Sequence, residues 1–387
     1  GFLPSSCSDV KPNTNGSQLL FEQGQDPTAI CPATSQTVYS GIVGNLTADN
    51  IVRLYASEIQ EINDMIDCCQ PVVCVAETSR KLSSGNESCD LFDVQSKWSG
   101  KFYEPWVDSF SEAQYLSEWF LMSSLNNMTI PPNKTLDDMV RLGSVHNAHM
   151  QLITNQFNAE NFGSTLLVHL VSSMEEGITK SKVSVDSGDG PQLLHDPTSQ
   201  FLYYAGHDIN LLYLKNMLRL EWETTNWMSN QPNPGSMLVF EIHADAGKAE
   251  STSIDDFYLQ AYFMAASPVQ IRNAESLSPL NAPDRVAVSI PHCSKDVSLS
   301  DGSTQLQCRF TAFKSVVGKS IEQVCVSPSL QSYASSLLNE SWTSSFWSIE
   351  TIVIALLAMA LAVVTFRYIA LSRNHASVEY GKYSAIV

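Results

Sequence analysis

Alternation of hydrophobic and polar positions divides the chain into a helical part and a mixed part. Between positions 47 and 66, apolar residues recur every three to four positions, which predicts a helix. Capping patterns at Ser111 and Thr135 predict two more helices, and an apolar face predicts a fourth over 164–174. We therefore expect residues 45–180 to form a mainly helical domain.

Short apolar runs elsewhere predict strands. Residues 201–205, 237–243 and 257–264 have the length of strands, and a polar loop between the last two suggests an antiparallel pair. The segments 1–44 and 181–325 are therefore expected to form an α/β core, with a sheet flanked by helices.

A long apolar run near the end predicts a transmembrane helix over 347–366, a stretch that spans about 30 Å. A buried helix is the alternative, but here apolar residues cover the whole circumference. The tail, 367–387, carries more basic than acidic residues, which places it in the cytosol. The Ser-rich segment 326–346 is predicted to be a stalk.

The ectodomain is then expected on the cell surface or in an endosomal, lysosomal or vacuolar lumen. Tyr383 to Ile386 fits a tyrosine-based sorting signal, or is simply a disordered end. Two further features lie on the same side of the span. Six N-glycosylation sequons begin at Asn15, Asn45, Asn86, Asn127, Asn133 and Asn339.

All nine cysteines also precede the span, which indicates an oxidising compartment. Zinc is the rival interpretation, but no histidine lies among the clustered cysteines, so disulfides are favoured. The odd number leaves at least one cysteine without a partner in the chain. The disulfide candidates are Cys68, Cys69, Cys74, Cys89, Cys293, Cys308 and Cys325, with Cys293 and Cys308 able to close one loop.

Composition narrows the function classes. Hydrophobic residues make up 44% of the chain, enough for a buried core, while the formal net charge is −18. Such a surface repels phosphate backbones, so binding of nucleic acid by a basic face is disfavoured.

The sharpest chemical pattern is Gly206-His207-Asp208 between a predicted strand and a predicted helix. Ligands of open α/β sheets bind beyond strand ends, and a helix N-terminus attracts anions. A histidine adds a donor there, and a carboxylic acid can protonate a leaving group. The alternative is a His-Asp pair that only caps the helix. A second pair, His195-Asp196, is expected on the surface.

Residues 201–220 resemble the C-terminal catalytic motif of the histidine acid phosphatases. Segments 162–167 and 234–241, and the cysteine region 291–325, resemble the same family in order. The resemblance implies a phosphoglycerate-mutase-like fold and hydrolysis of phosphate monoesters through a phosphohistidine, with no metal or cofactor. By position, His207 binds the phosphoryl group, and Asp208 protonates the leaving alkoxide.

The family's nucleophilic histidine belongs to an Arg-His-Gly-x-Arg-x-Pro motif, and no arginine of this chain precedes a histidine. Because residues 1–4 resemble the segment that follows the motif's helix, we expect the chain to begin just downstream of it and to be inactive alone. A rival hypothesis is a non-catalytic membrane glycoprotein with an anion pocket. Oligomeric state stays open.

The remaining histidines suggest less chemistry. His146 and His149 share a predicted helix face, but no third metal ligand is evident, so a metal site is not favoured. His169 and His243 are expected to be packed residues.

Overall fold

The computed structural model describes residues 31–43, 48–66, 90–183, 196–299 and 301–345. Within these ranges no helix combines the length and the apolar character needed to cross a bilayer. Several predicted features lie outside the described residues. They are the span 347–366, the tail 367–387, His195, Asn15, Asn45, Asn86, Cys68, Cys69, Cys74 and Cys89.

Helices dominate the first half of the described chain. The helices before residue 180 are α1 (Gln36–Val43), α2 (Ala48–Leu54), α3 (Ala56–Met65), α4 (Ser109–Leu125), α5 (Leu136–Leu142), α6 (Ser144–Ile153) and α7 (Gln156–Thr179). Those after it are α8 (Asp208–Leu218), α9 (Pro268–Arg272), α10 (Phe310–Ser320) and α11 (Gln331–Ser345).

Side-chain caps mark the beginning of α4 and α5. Helix α4 begins two residues before the predicted Ser111, because the Asp108 side chain accepts the Ser111 amide hydrogen at 2.8 Å. The capping pattern at Thr135 is confirmed, but the chain turns at Gly143 into a second helix. A methyl group on Gly143 would lie 3.0 Å from Leu121 Cδ2, so the turn packs closely on α4.

The main sheet is antiparallel wherever its strands pair. Strand β3 (Met237–Ala244) pairs with β4 (Phe257–Ala265), from Met237 opposite Met264 to Ala244 opposite Phe257, which confirms the predicted pair. The strands β1 (Lys97–Lys101) and β2 (Glu104–Val107) form a separate hairpin, while β5 (Asp284–Val288), β6 (Lys295–Ser298) and β7 (Thr304–Arg309) extend the main sheet.

The main core lies between this sheet and helices α7, α8, α10 and α11. The rings of Trp222 and Phe263 stack in it, with centroids 4.2 Å apart. A second cluster packs α2 to α6 around Ile59, Ile62 and Met139. The predicted α/β fold class is therefore confirmed.

The predicted stalk over 326–346 is wrong for most of its length. Residues 331–345 form α11, and the side chains of Leu330, Ala334 and Leu337 are buried in the main core. Helix α11 approaches α10 so closely that a methyl group on Gly318 would lie 2.5 Å from the Leu337 carbonyl oxygen. The many serines of this segment suggested a stalk, although its apolar residues recur at helical spacing.

Two disulfides lie within the described residues, one closing a short loop and one joining distant parts of the chain. Cys293 bonds Cys308, the loop that the sequence suggested, and Cys325 bonds Cys31, which was not among the candidates. The second bond holds the segment before α1 against the end of the core.

Two sequon asparagines are accessible in turns. Asn127 and Asn133 are exposed, and both have positive φ angles near 60°. Asn339 lies within α11. The first two are therefore open to modification on the described surface.

Candidate active site

His207 and Asp208 stand at the beginning of α8. The His207 amide hydrogen is donated to Asn210 Oδ1 at 2.8 Å, and the Asn210 amide hydrogen returns to the His207 carbonyl at 3.0 Å. This reciprocal cap ends the preceding segment and starts the helix. Asp208 then occupies the first turn, where the helix dipole favours a negative charge.

The segment before this pair differs from the prediction. Residues 201–207 are irregular and not a strand, because no described strand pairs with them. Phe201 and Tyr203 are exposed, whereas the Tyr204 hydroxyl lies 3.2 Å from both His169 Nδ1 and Ser173 Oγ. The Tyr204 side chain thus connects this segment to α7.

The two candidate groups differ in exposure. His207 is exposed, and the Asp208 side chain is 36% exposed. Its Oδ1 atom accepts the Ile209 amide hydrogen at 2.7 Å, while Oδ2 lies 3.9 Å from His146 Nε2. The latter distance is that of an ion pair, longer than a hydrogen bond.

His146, on α6, connects Asp208 to α4. Its Nδ1 atom lies 2.9 Å from Gln114 Oε1 and 3.7 Å from Glu118 Oε2. Gln114 is buried, and the His146 side chain is only 16% exposed. Helices α4, α6 and α8 therefore meet at one polar cluster formed by Gln114, Glu118, His146 and Asp208.

The surroundings of Asp208 act on its pKa in opposite directions. Burial, the largest influence, raises the pKa, while His146, the Ile209 amide and His207 lower it. The net result is a pKa below the usual value of an aspartate. Protonation of this carboxyl therefore requires more acidic solution than protonation of a free aspartate.

His149 has a different setting from His146, although both lie on α6. Its side chain is 5% exposed, and neither ring nitrogen has a hydrogen-bond partner among the described residues. Burial lowers the pKa of His149 to about 3. Within the described ranges, no three His, Cys, Asp or Glu side chains are grouped as a metal site would require.

The two histidines expected to be packed, His169 and His243, differ in their burial. His169 is buried, as predicted, on α7. His243 stacks on the Tyr258 ring at 5.4 Å but keeps 38% of its side chain exposed.

Sequence reasoning missed the contact between His146 and Asp208. The two residues are 62 positions apart, and the only signal at His146 was its spacing from His149, which suggested a metal. Helix packing of α6 against α8 creates the contact. Periodicity within one helix gives no information about such a partner.

Comparisons with known proteins bear on the same region. A model of the family described as histidine phosphatase superfamily (branch 2) matches residues 24–263, more than half of the chain. Phytase AppA of Escherichia coli (strain K12) is 26% identical over 218 residues, which are 56% of this chain and 46% of that relative. The chain thus matches about half the length of this curated relative.

Solved structures of two phytases share the fold. The phytase from Citrobacter braakii matches with a TM-score of 0.56 and 20% identity, over 79% of this chain and 72% of that one. Hafnia alvei phytase in complex with myo-inositol hexakis sulphate matches with a TM-score of 0.57 and 21% identity, over 79% and 71%.

Proposed function

This chain belongs to the histidine phosphatase superfamily (branch 2), and from that premise we propose that it serves the hydrolysis of phosphate monoesters. The observation that carries the proposal is the placement of His207 and Asp208 at the start of the 11-residue helix α8, inside the matched region. A helix N-terminus with an adjacent histidine suits a phosphate, and an adjacent carboxyl suits a proton donor.

In the proposed reaction the ester P–O bond breaks as a histidine nitrogen attacks phosphorus. His207 binds the phosphoryl oxygens, and the leaving alkoxide takes its proton from Asp208. Water then attacks the phosphohistidine, and the Asp208 carboxylate accepts the proton that the water releases. Inorganic phosphate and the alcohol are the products.

The 387 residues do not contain the motif that would carry the nucleophilic histidine. No arginine of the chain precedes a histidine, whereas the resemblance implies an Arg-His-Gly motif. We propose the activity for protein in which such a motif accompanies this chain, and we expect the 387 residues alone to release no phosphate. The second candidate is a non-catalytic glycoprotein that keeps an anion site at the start of α8.

We also propose that the protein is membrane-anchored through 347–366, with its folded part outside the cytosol. The disulfides Cys31–Cys325 and Cys293–Cys308 support an oxidising compartment. Extraction of membranes with alkaline carbonate tests the anchor, since a spanning protein stays in the pellet. Release into the supernatant would contradict it.

Negative charge near the site and over the whole chain bears on the substrate class. The relatives are named as phytases, but here Glu118 lies 3.7 Å from His146 beside Asp208, and the net charge is −18. Added phosphates on a substrate meet repulsion in such surroundings. We therefore propose a simple monoester as the preferred substrate over an inositol polyphosphate.

Phosphate release from 4-nitrophenyl phosphate in acid tests the proposal. Protein that includes the upstream motif is compared with its His207→Ala variant and with His243→Ala, a control at a partly exposed histidine on β3. We expect turnover in the unsubstituted protein and the control, and loss of about a hundredfold or more in His207→Ala. Absence of turnover in all three would favour the non-catalytic candidate.

A further inference from the structure

One imidazole, that of His146, lies between an amide, a carboxylate and the candidate acid. Gln114 and Glu118 approach its Nδ1 side from α4, at 2.9 and 3.7 Å. Asp208 approaches Nε2 from α8, at 3.9 Å. The ring is mostly buried, so these neighbours rather than bulk water surround it.

Gln114 fixes which nitrogen of His146 carries the hydrogen in the neutral ring. An amide oxygen only accepts hydrogen bonds, so the atom facing Gln114 Oε1 is Nδ1–H. The other nitrogen, Nε2, is then the ring atom without a hydrogen. That nitrogen is the one which faces Asp208.

The carboxyl of Asp208 is oriented in the same way. Oδ1 is occupied by the Ile209 amide hydrogen, which leaves Oδ2 as the oxygen that takes up a proton. Oδ2 is also the oxygen nearest His146. His146 Nε2 and Asp208 Oδ2 therefore face each other across 3.9 Å.

We propose that His146 is a positioning residue for the acid: its imidazole faces Asp208 Oδ2 and favours the carboxylate over the protonated acid. The proposal rests on the proposed function, because it assigns a partner to the same carboxyl. His146 favours the Asp208 carboxylate over its protonated form, which lowers the pKa of Asp208.

Other charged groups in the cluster also affect Asp208 and His146. Among the described residues, His146 and His207 act on Asp208, while Glu118 and Asp208 face His146. His149, on the same helix as His146, is kept neutral by burial above about pH 3. Substitution of His149 is therefore a suitable control, because it removes a histidine from the same helix without removing a charge.

The test follows the Asp208 carboxyl by carbon-13 NMR in the full chain, with its signal assigned by Asp208→Asn. In His146→Gln, which keeps a polar contact to Gln114, we expect the titration midpoint of Asp208 to move to higher pH by about one pH unit. In the control His149→Leu the midpoint stays in place. An identical midpoint in His146→Gln and in the unsubstituted chain would overturn the proposal.

A second measurement needs no substitution of the cluster. Nitrogen-15 spectra of the imidazole show which nitrogen carries the hydrogen in neutral His146, and we expect Nδ1–H. A majority of Nε2–H would overturn the proposal. Neither measurement needs turnover, so the two proposals can fail separately. If the Asp208 midpoint moves and neutral His146 carries Nδ1–H, but the protein hydrolyses no phosphate ester, the His146–Asp208 pair stands and the proposed function is wrong.

Discussion

Gly163 of α7 lies so close to Tyr213 of α8 that a methyl group on its Cα would be 2.9 Å from the Tyr213 Cβ. The same methyl would be 2.6 Å from Met217 Cε, but that flexible end can move, whereas a Cβ atom follows its backbone. Since α8 begins at Asp208, this contact sets the position of the candidate acid relative to α7.

Gly163→Ala is therefore expected to push α8 away from α7. Although alanine favours a helix, we expect a net loss of about 1–3 kcal/mol in the free energy of unfolding, as in other overpacked cores. Urea unfolding measures it. The control is Gly41→Ala in α1, where the added methyl has no neighbour within 4 Å. Equal stability of the two variants would contradict the close packing.

His149 makes stability depend on pH. The unfolded chain binds a proton on this ring near pH 6.5, whereas burial lowers the pKa of the folded form to about 3. Between these values the unfolded state holds more protons, so stability falls as pH falls, by up to about 1.4 kcal/mol per pH unit.

His149→Leu is expected to remove this contribution. The free energy of unfolding, measured in urea between about pH 7 and about pH 4, should then fall less steeply than in the unsubstituted chain. A substitution at the partly exposed His243, to glutamine, provides the comparison. If His149→Leu keeps the original slope, the buried neutral histidine is not what makes the fold sensitive to acid.

The role of Asp208 as proton donor predicts a dependence on the leaving group. In protein that includes the upstream motif, Asp208→Asn should lower kcat/KM for esters of poor leaving groups, such as alkyl phosphates, by about 100-fold or more, because their alkoxides need the proton. Esters of good leaving groups, such as 4-nitrophenyl phosphate, should lose much less. The comparison uses kcat/KM, which excludes the later attack of water on the phosphohistidine. Equal losses of kcat/KM for both classes would show that Asp208 acts in another way.

The sequence predicted the elements that depend on local signals. A capping pattern predicted the helix start at Thr135, and alternating apolar residues predicted the pairing of β3 with β4. A glycine before a polar pair predicted the helix after His207. The start of α4 was misplaced because Asp108, and not Ser111, supplies the cap.

Predictions failed where the partner is distant along the chain. Residues 201–205 have strand composition but no described neighbour to pair with, and α11 has a serine-rich surface that concealed Leu337. The contact of His146 with Asp208, likewise, arises from the packing of α6 on α8. A single sequence carries no local sign of these tertiary contacts.

His207 is expected to form the phosphate site at the start of α8. Binding of orthophosphate to the 387-residue chain, measured by calorimetry in acid, tests it without any need for turnover. We predict that His207→Ala weakens phosphate binding about tenfold or more, a loss of about 1.4 kcal/mol, while His243→Ala binds as the unsubstituted chain does. Equal affinity in His207→Ala and the unsubstituted chain would show that His207 does not form the phosphate site.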